Sequence, residues 1–198
     1  MPARFRRAWL LIASLALAPV AWAGAQIEEQ LSASVQAMMQ HSISDRAPTK
    51  PAFTSTQEAE RWLAALSPRL EKRLPDIHQR RDFLTTVHYE ASRAGLDPQL
   101  VLGLIEVESG FRKYAVSTAG ARGYMQVMPF WVKQIGAPEH NLFHLRTNLR
   151  YGCTILRHYL DLENGDLFRA LGRYNGSLGQ ADYPNLVNTA WQRHWSLN

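Results

Sequence analysis

Residues 98–110 read PQLVLGLIEVESG, and this stretch decides the fold. Asp97 stands before it and Pro98 opens it, a pair typical of a helix start because Asp caps free N–H groups and Pro fits the first turn. Three residues recur at helical spacing and predict one apolar face: Val101, Leu104 and Ile105. After Gly110 the helical pattern ends. The stretch therefore predicts an amphipathic helix packed against a core.

Glu108 is the next residue on that apolar face, in the last turn of the predicted helix. Burial and the negative end of a helix both disfavour a charged carboxylate, and a glutamic acid that keeps its proton near neutral pH can act as a general acid. Glu106, roughly 200° away around the helix, is expected to face elsewhere. The alternative is an ordinary helix-end carboxylate that bends out to water, and periodicity alone favours that alternative.

Further helices are predicted on both sides of this stretch. Ser55 with Glu58 forms a capping-box pattern, Ser67-Pro68 is expected to restart the chain as another turn, and Asp76 caps a helix that Gly95 ends. Helical patterns return over three later stretches: 149–162, 167–174 and 185–195. Between them and the central helix, residues 111–128 are rich in Gly, Ala and Ser and predict a loop. The domain is therefore expected to be mainly α.

The N-terminus has the pattern of a secretory signal peptide over residues 1–23. Three arginines precede an apolar run over residues 8–18, which is shorter than the ~20 residues that span a bilayer. Cleavage after Ala23 or Ala25 fits equally, and an uncleaved anchor is the alternative. Residues 24–55 are expected to form a helical appendage and a linker, and residues 56–198 the catalytic domain. The appendage helix is predicted from four apolar residues: Ile27, Leu31, Val35 and Met38.

Composition excludes several classes of protein and of site. The formal net charge of +5 falls by three when the leader and its arginines are removed, which leaves no case for nucleic-acid binding. Cys153 is the single cysteine, so no internal disulfide can form, and a buried structural thiol is expected. The seven histidines are scattered without metal-ligand spacing, and no glycine-rich phosphate loop is present. We therefore expect no metal, no nucleotide and no other cofactor.

Residues 103–111, GLIEVESGF, are similar to the Glu-Ser motif of the family 1 lytic transglycosylases, which share the fold of goose-type lysozyme. The similarity continues through short elements in the family's order, over roughly residues 80–195: Ala115, Ser117, residues 120–123, Met125-Gln126, Met128-Pro129, Asn141-Leu142, Asn148-Leu149, Gly152, Tyr159-Leu160 and residues 170–176. Each element is weak alone, but the ordered set is specific and reverses the odds on Glu108. It implies a mainly α, lysozyme-like (goose-type) catalytic domain.

The resemblance implies a set of site residues. Glu108 matches the catalytic glutamate. Five residues match substrate-binding positions: Ser117, Gln126 and Met128, which line the saccharide cleft, and Tyr174 with Asn175 beside it. Tyr174 matches the tyrosine that hydrogen-bonds and positions the glutamate. Met128 as core filler and Tyr174 as a packed helix aromatic stay open as alternatives, and Asn148 is expected to be structural.

The sequence departs from the family pattern at two places. Tyr124 stands where the family's Gly-Leu-Met-Gln motif has Leu, and Arg173 with Gly176-Ser177 replaces small residues around Tyr174-Asn175. These departures leave substrate contacts in doubt but do not affect the acid.

The resemblance also implies the reaction, because no second carboxylate shares a motif with Glu108. Glu108 is expected to cleave the MurNAc-GlcNAc bond of peptidoglycan and to close a 1,6-anhydro-MurNAc ring, acting first as acid and then as base. Two alternatives stay open: a hydrolytic muramidase on the same scaffold, and a non-catalytic peptidoglycan-binding module. Peptidoglycan glycan strands are the expected partner in the periplasm, with envelope or secretion machinery as a further partner class. An uncleaved leader would tether the protein to the membrane.

Overall fold

The structure is a computed structural model that describes residues 26–45 and 53–197. Its regular elements in this part of the chain are helical: α1 (Ala33–Ile43), α2 (Thr56–Leu70), α3 (Ile77–Arg93), α4 (Pro98–Ser109), α5 (Phe130–Ile135), α6 (Leu145–Leu162), α7 (Leu167–Asn175), α8 (Asp182–Ala190) and a C-terminal π-helical turn (Trp191–Trp195). The mainly α class predicted from the sequence is confirmed. The predicted signal peptide lies outside the described residues.

The helix starts around the central stretch follow the predicted caps. Ser55, Asp76 and Asp97 each accept a hydrogen bond from a backbone N–H in the first turn of α2, α3 and α4. Gly110 ends α4 in the left-handed conformation at φ 57°, which glycine adopts without steric cost. The sequence therefore fixes both ends of the helix that carries Glu108.

Three other boundaries differ from the predictions. Helix α2 runs through Pro68 without a restart. Pro68 lies in the last turn of the helix, so its missing N–H removes one backbone hydrogen-bond donor and leaves the rest of that turn intact. Helix α6 begins at Leu145, earlier than the apolar pattern, and α8 begins at Asp182. The short α5 was not predicted, since six residues after a proline are too few to show a period.

The prediction for α1 is partly wrong. The helix begins at Ala33, and residues 26–32 before it have no regular secondary structure. Its buried residues are Met39 and Ile43, whereas Met38 is 53% exposed. Helix α1 packs on α5 and α6, and this tertiary contact overrides the short periodic pattern. The domain boundary at residue 56 stays a prediction.

Helix α4 lies in the middle of the core. It packs on α3, α8 and the C-terminal π-helical turn, while α6 packs on α3 and α7. Four apolar residues within little more than one turn of α4 are fully buried: Val101, Leu102, Leu104 and Ile105. At Gly103 an added Cβ would lie 2.7 Å from the backbone nitrogen of Trp191, so the absence of a side chain allows the π-helical turn to pack on α4.

The loop of residues 111–128 is ordered by hydrogen bonds from its own backbone and from α6. Two isolated antiparallel bridges pair Arg122 with Val116 and with Val127. Asn148 on α6 accepts from the Met125 N–H at 2.8 Å and donates to the carbonyls of Arg122 and Leu142 at 2.8 Å each. The structural role expected for Asn148 is confirmed. Among the described residues, none of the helices has the length and apolarity to cross a membrane.

Candidate active site

Glu108 is a buried carboxylate at the end of α4, with 4% of its surface exposed. The hydroxyl of Tyr183, in the first turn of α8, donates a hydrogen bond to Glu108 Oε1 at 2.5 Å. Tyr183 is itself fully buried. The packing of α8 on α4 therefore holds the carboxyl group in one orientation.

Two buried tyrosines lie in the electrostatic field of Glu108. Burial raises the pKa of Tyr183 well above its ordinary value, and the charge and hydrogen bond of Glu108 raise it further. Burial likewise raises the pKa of Tyr174, and the charge of Glu108 adds to this effect. Both phenols therefore keep their protons at any working pH and act as hydrogen-bond donors.

Tyr174, predicted to position Glu108, donates its hydroxyl proton elsewhere in this structure, and the positioning role stays a prediction. The Tyr174 hydroxyl donates to the Met125 carbonyl oxygen at 2.7 Å, and a phenol has one proton to give. Tyr183 makes the hydrogen bond to Glu108 instead. Tyr174 lies on α7 beside the acid and fixes the loop that carries Gln126.

Gln126 is 1% exposed and has the uncommon positive φ of 48°. Its Nε2 donates to the carbonyl oxygens of Gly123 at 2.9 Å and Ala115 at 3.1 Å. These bonds satisfy the buried amide, as buried polar groups require. They show a loop-shaping role, and the predicted contact with a saccharide stays a prediction.

Ser117 and Asn175 are also engaged within their own loops. Ser117 Oγ accepts from the Ala121 N–H at 3.0 Å, and Asn175 Nδ2 donates to Ser177 Oγ at 3.1 Å. Met128 is half-buried, packs against the core, and donates its backbone N–H to Gln26 Oε1 at 3.3 Å. Met128 and Tyr174 are both neighbours of Gln26. Ser117 and Asn175 instead make hydrogen bonds within their own loops.

Three other carboxylates of the chain are bound by cations or hydrogen-bond donors within the protein: Glu90, Glu106 and Glu163. Glu90 is 1% exposed and accepts from Arg150 Nη2 at 3.0 Å. Glu106 accepts from Trp195 Nε1 at 2.6 Å, and Glu163 pairs with Arg169 and Arg173. Each of these carboxylates has a cation or a donor that explains its place. Glu108 accepts its hydrogen bond from the buried Tyr183.

Sequence reasoning did not single out Tyr183, Trp131 or Gln26. Tyr183, Val187 and Ala190 have helical spacing and are all buried, so starting the last helix at Asp182 would have put Tyr183 on the inward face. Gln26 and Trp131 show no such signal, because they meet across 105 residues of chain. In the described part of the chain, no group of three or more His, Cys, Asp or Glu could hold a metal ion.

The model of the transglycosylase SLT domain matches residues 85–190. The chain belongs to this family. The match includes most of α3, all of α4 to α8, and thus both Glu108 and Tyr183. The family resemblance found in the sequence is confirmed.

Named relatives match shorter parts of this SLT-domain chain. A transglycosylase of Enterobacteria phage PRD1 is 35% identical over 98 residues, covering 50% of this chain and 36% of its own length. Membrane-bound lytic murein transglycosylase C of Haemophilus ducreyi is 49% identical over 115 residues, covering 50% and 31%. The chain thus spans about a third of the length of these relatives.

A solved structure of an inactive mutant of the lytic transglycosylase Slt from Pseudomonas aeruginosa also matches the SLT-domain chain. It is 19% identical, with a TM-score of 0.45, over 84% of this chain and 36% of that chain.

Proposed function

We propose that this protein is a peptidoglycan lytic transglycosylase whose general acid and base is Glu108. The observation that supports it most is the buried Glu108 carboxyl group, hydrogen-bonded by Tyr183, in a chain of the transglycosylase SLT domain family. The named relatives include a lytic murein transglycosylase. That family supports the substrate class, and the burial and hydrogen bond of Glu108 support the acid–base role.

In the first step, protonated Glu108 donates its proton to the glycosidic oxygen between MurNAc and GlcNAc. Glu108 is buried at the C-terminal end of α4, and the proposal requires that it carry a proton before the reaction. Tyr183 keeps its own proton, so it orients the carboxyl group before the step and stabilises the carboxylate after it. The acetamido group of the sugar itself stabilises the cationic centre, which replaces a second carboxylate.

In the second step, the Glu108 carboxylate removes the proton from the muramoyl C6 hydroxyl. The freed oxygen attacks C1 and closes the 1,6-anhydro ring, which regenerates the acid without consuming water. An intramolecular hydroxyl has a large effective concentration over water. The product is therefore a glycan end with 1,6-anhydro-MurNAc.

The test is digestion of purified murein sacculi by the full protein and by Glu108→Gln, with released muropeptides identified by mass spectrometry. Glu106→Gln is the matched control, because Glu106 lies on the same helix as Glu108 but accepts its hydrogen bond from Trp195. We expect anhydro-muramoyl ends from the native protein and from Glu106→Gln, and a rate at least about 100-fold lower for Glu108→Gln. Reducing ends would identify a hydrolytic muramidase, and equal release by native protein and Glu108→Gln would show that another residue is the acid.

We further propose that the protein is exported and acts in the periplasm. The support is the leader pattern of residues 1–23 together with the location of peptidoglycan. Cell fractionation with detection of the processed N-terminus tests it, and an unprocessed chain in the membrane fraction would indicate tethering. Envelope or secretion machinery stays a predicted class of partner.

A further inference from the structure

Residues 26–31, here called the strap, precede α1 and have no regular secondary structure. They lie against α5 and α7. Gln134 on α5 donates its Nε2 to the Glu29 carbonyl oxygen at 3.1 Å, and Arg173 on α7 forms an ion pair with Glu29 at 3.6 Å. The strap therefore contacts both α5, which follows the predicted cleft residue Met128, and α7, which ends with the predicted cleft residues Tyr174 and Asn175.

The anchor of the strap is the side-chain amide of Gln26. Its Oε1 accepts from the indole Nε1 of Trp131 at 2.9 Å and from the backbone N–H of Met128 at 3.3 Å. Gln26 is 4% exposed and Trp131 is 2% exposed. These two N–H groups form a buried binding site, here called the receptor, for one amide carbonyl oxygen.

This receptor is close to the catalytic acid. The Gln26 amide lies near enough to Tyr174 to lower the pKa of its hydroxyl, against the larger raising effects of burial and of the Glu108 charge. Tyr174 is thus adjacent both to Gln26 and to Glu108.

The strap is held weakly outside its anchor. Residues 27–30 are exposed, Ile27 to 60%, and the ion pair between exposed Glu29 and half-buried Arg173 is long, at 3.6 Å, and adds little stability. Gln26 Nε2 is buried but makes no hydrogen bond of ordinary geometry with the described residues, which weakens the anchor itself. A ligand that satisfies the two N–H donors equally well can therefore displace it.

We propose that the N–H groups of Trp131 and Met128 bind the acetamido carbonyl oxygen of an N-acetylated glycan, and that the strap occupies this subsite with Gln26 until the glycan displaces it. The proposal rests on the proposed function. A glutamine amide and an acetamido group both present a planar amide with an accepting carbonyl oxygen. The strap is then an internal competitor of the substrate.

The affinity test uses an N-acetylglucosamine tetramer and its deacetylated glucosamine tetramer, measured by calorimetry on the full chain carrying Glu108→Gln. Gln26→Ala removes the competitor, so the acetylated tetramer should bind at least about threefold more tightly. The deacetylated tetramer should bind weakly and show no dependence on Gln26. Glu28→Ala, an exposed neighbour in the strap, is the matched control and should change neither affinity. Unchanged or weaker binding of the acetylated tetramer to Gln26→Ala would overturn the proposal.

The role of Trp131 is tested in the Gln26→Ala background, where the strap no longer depends on it. Trp131→Phe keeps an aromatic ring and removes the N–H donor. We expect at least about threefold weaker binding of the acetylated tetramer with an unchanged circular dichroism spectrum. Equal affinity of the two proteins would show that the indole N–H does not bind the ligand.

Hydrogen–deuterium exchange on Glu108→Gln tests the displacement with the native sequence of the strap. Addition of the acetylated tetramer should increase deuterium uptake in residues 26–31, and reduced or unchanged uptake would contradict displacement. The sacculus assay separates this proposal from the proposed function. Native protein that releases anhydro-muropeptides while Gln26→Ala leaves the tetramer affinity unchanged would overturn the strap alone.

Discussion

At the scale of single residues, the orientation of the proposed catalytic acid is set by the side chains around it. Glu106 and Glu108 are two residues apart on α4, yet one is bound by Trp195 and the other by Tyr183. The apolar period of the helix predicted which of them faces inward, because a 3.6-residue repeat separates their directions. It could not predict which tyrosine would bind the inward one.

Tyr183→Phe should lower kcat about tenfold or more with little change in KM, because the Glu108 carboxyl group loses its donor while the cleft keeps its shape. Steady-state kinetics on soluble glycan strands would measure both constants. Tyr174→Phe is the comparison, since that hydroxyl binds the Met125 carbonyl. If Tyr174→Phe lowered kcat and Tyr183→Phe did not, the assignment of the positioning role would be wrong.

The hydrogen-bond partners of the two buried tyrosines could not be predicted from the sequence, and the reason is physical. Tyr174 on α7 and Tyr183 on α8 are both fully buried, and both are near Glu108. Sequence resemblance identified a tyrosine near the acid, but the direction of one O–H bond depends on the tertiary placement of α7 and α8. Tyr183 and Glu108 are 75 residues apart in the chain, and Tyr174 and Met125 are 49 residues apart. Residues this far apart produce no periodic pattern in the sequence that would show that they are hydrogen-bonded.

At the scale of secondary-structure elements, the caps were predictable and the packing was not. Asp76, Ser55 and Asp97 act locally, through N–H groups two or three residues ahead, so the sequence alone located three helix starts. Helix α5 and the early start of α8 depend on contacts made far away in the chain. The loop of residues 111–128 was located correctly, but its order comes from Asn148 on α6.

Gly103→Ala tests the contact of α4 with the C-terminal π-helical turn. Alanine favours helix more than glycine by about 1 kcal/mol, yet its Cβ would lie 2.9 Å from the Trp191 Cα. Because backbone atoms cannot rotate away, we expect a net loss of about 1–3 kcal/mol in the free energy of unfolding. Urea denaturation measures it, and a variant as stable as the native protein would show that the turn shifts freely.

His88 on α3 gives the contact between α2 and α3 a pH dependence. Its ring stacks on Phe53 at 3.9 Å between centroids and meets Trp62 at 5.0 Å. Burial lowers the pKa of His88 below its ordinary 6.5, against smaller raising effects of Glu58 and Asp97. Between 6.5 and the lower pKa of the folded protein, the unfolded chain binds a proton at His88 that the folded chain does not bind. The free energy of unfolding therefore falls as the pH falls from above 6.5 towards the folded pKa.

We therefore expect the melting temperature to fall between about pH 7.5 and about pH 5.5, and to fall less in His88→Gln. Differential scanning calorimetry at both pH values measures the effect. Burial also lowers the pKa of His158, so part of the pH dependence should remain in the variant. The same decrease in both proteins would show that His88 does not contribute.

At the scale of the whole molecule, a buried ion pair joins α1, α3 and α6. Arg150 on α6 binds Glu90 on α3 and also the Ile43 carbonyl oxygen at the end of α1, at 3.2 Å. Asp45, just beyond α1, pairs with the same guanidinium at 2.5 Å. Arg150 therefore ties the N-terminal helix to the helical core by its backbone as well as by charge.

Glu90→Leu should lower the free energy of unfolding by about 3–5 kcal/mol, because it leaves a buried arginine without its main partner. The double variant Glu90→Leu with Arg150→Met should recover part of that loss, since it removes the charge that needs a partner. Urea denaturation of the two variants compares them. A double variant less stable than Glu90→Leu would mean that the contacts of Arg150 with α1 matter more than its charge.

The single thiol of the chain is buried in α6. Cys153 is 1% exposed, and burial raises its pKa well above the ordinary value. A thiol in that state reacts slowly with maleimides and disulfides, because the thiolate is the reacting form. A second cysteine introduced at exposed Glu28 could thus be labelled with a fluorophore while Cys153 is left in place. Emission from that position would report strap release in real time as glycan is added.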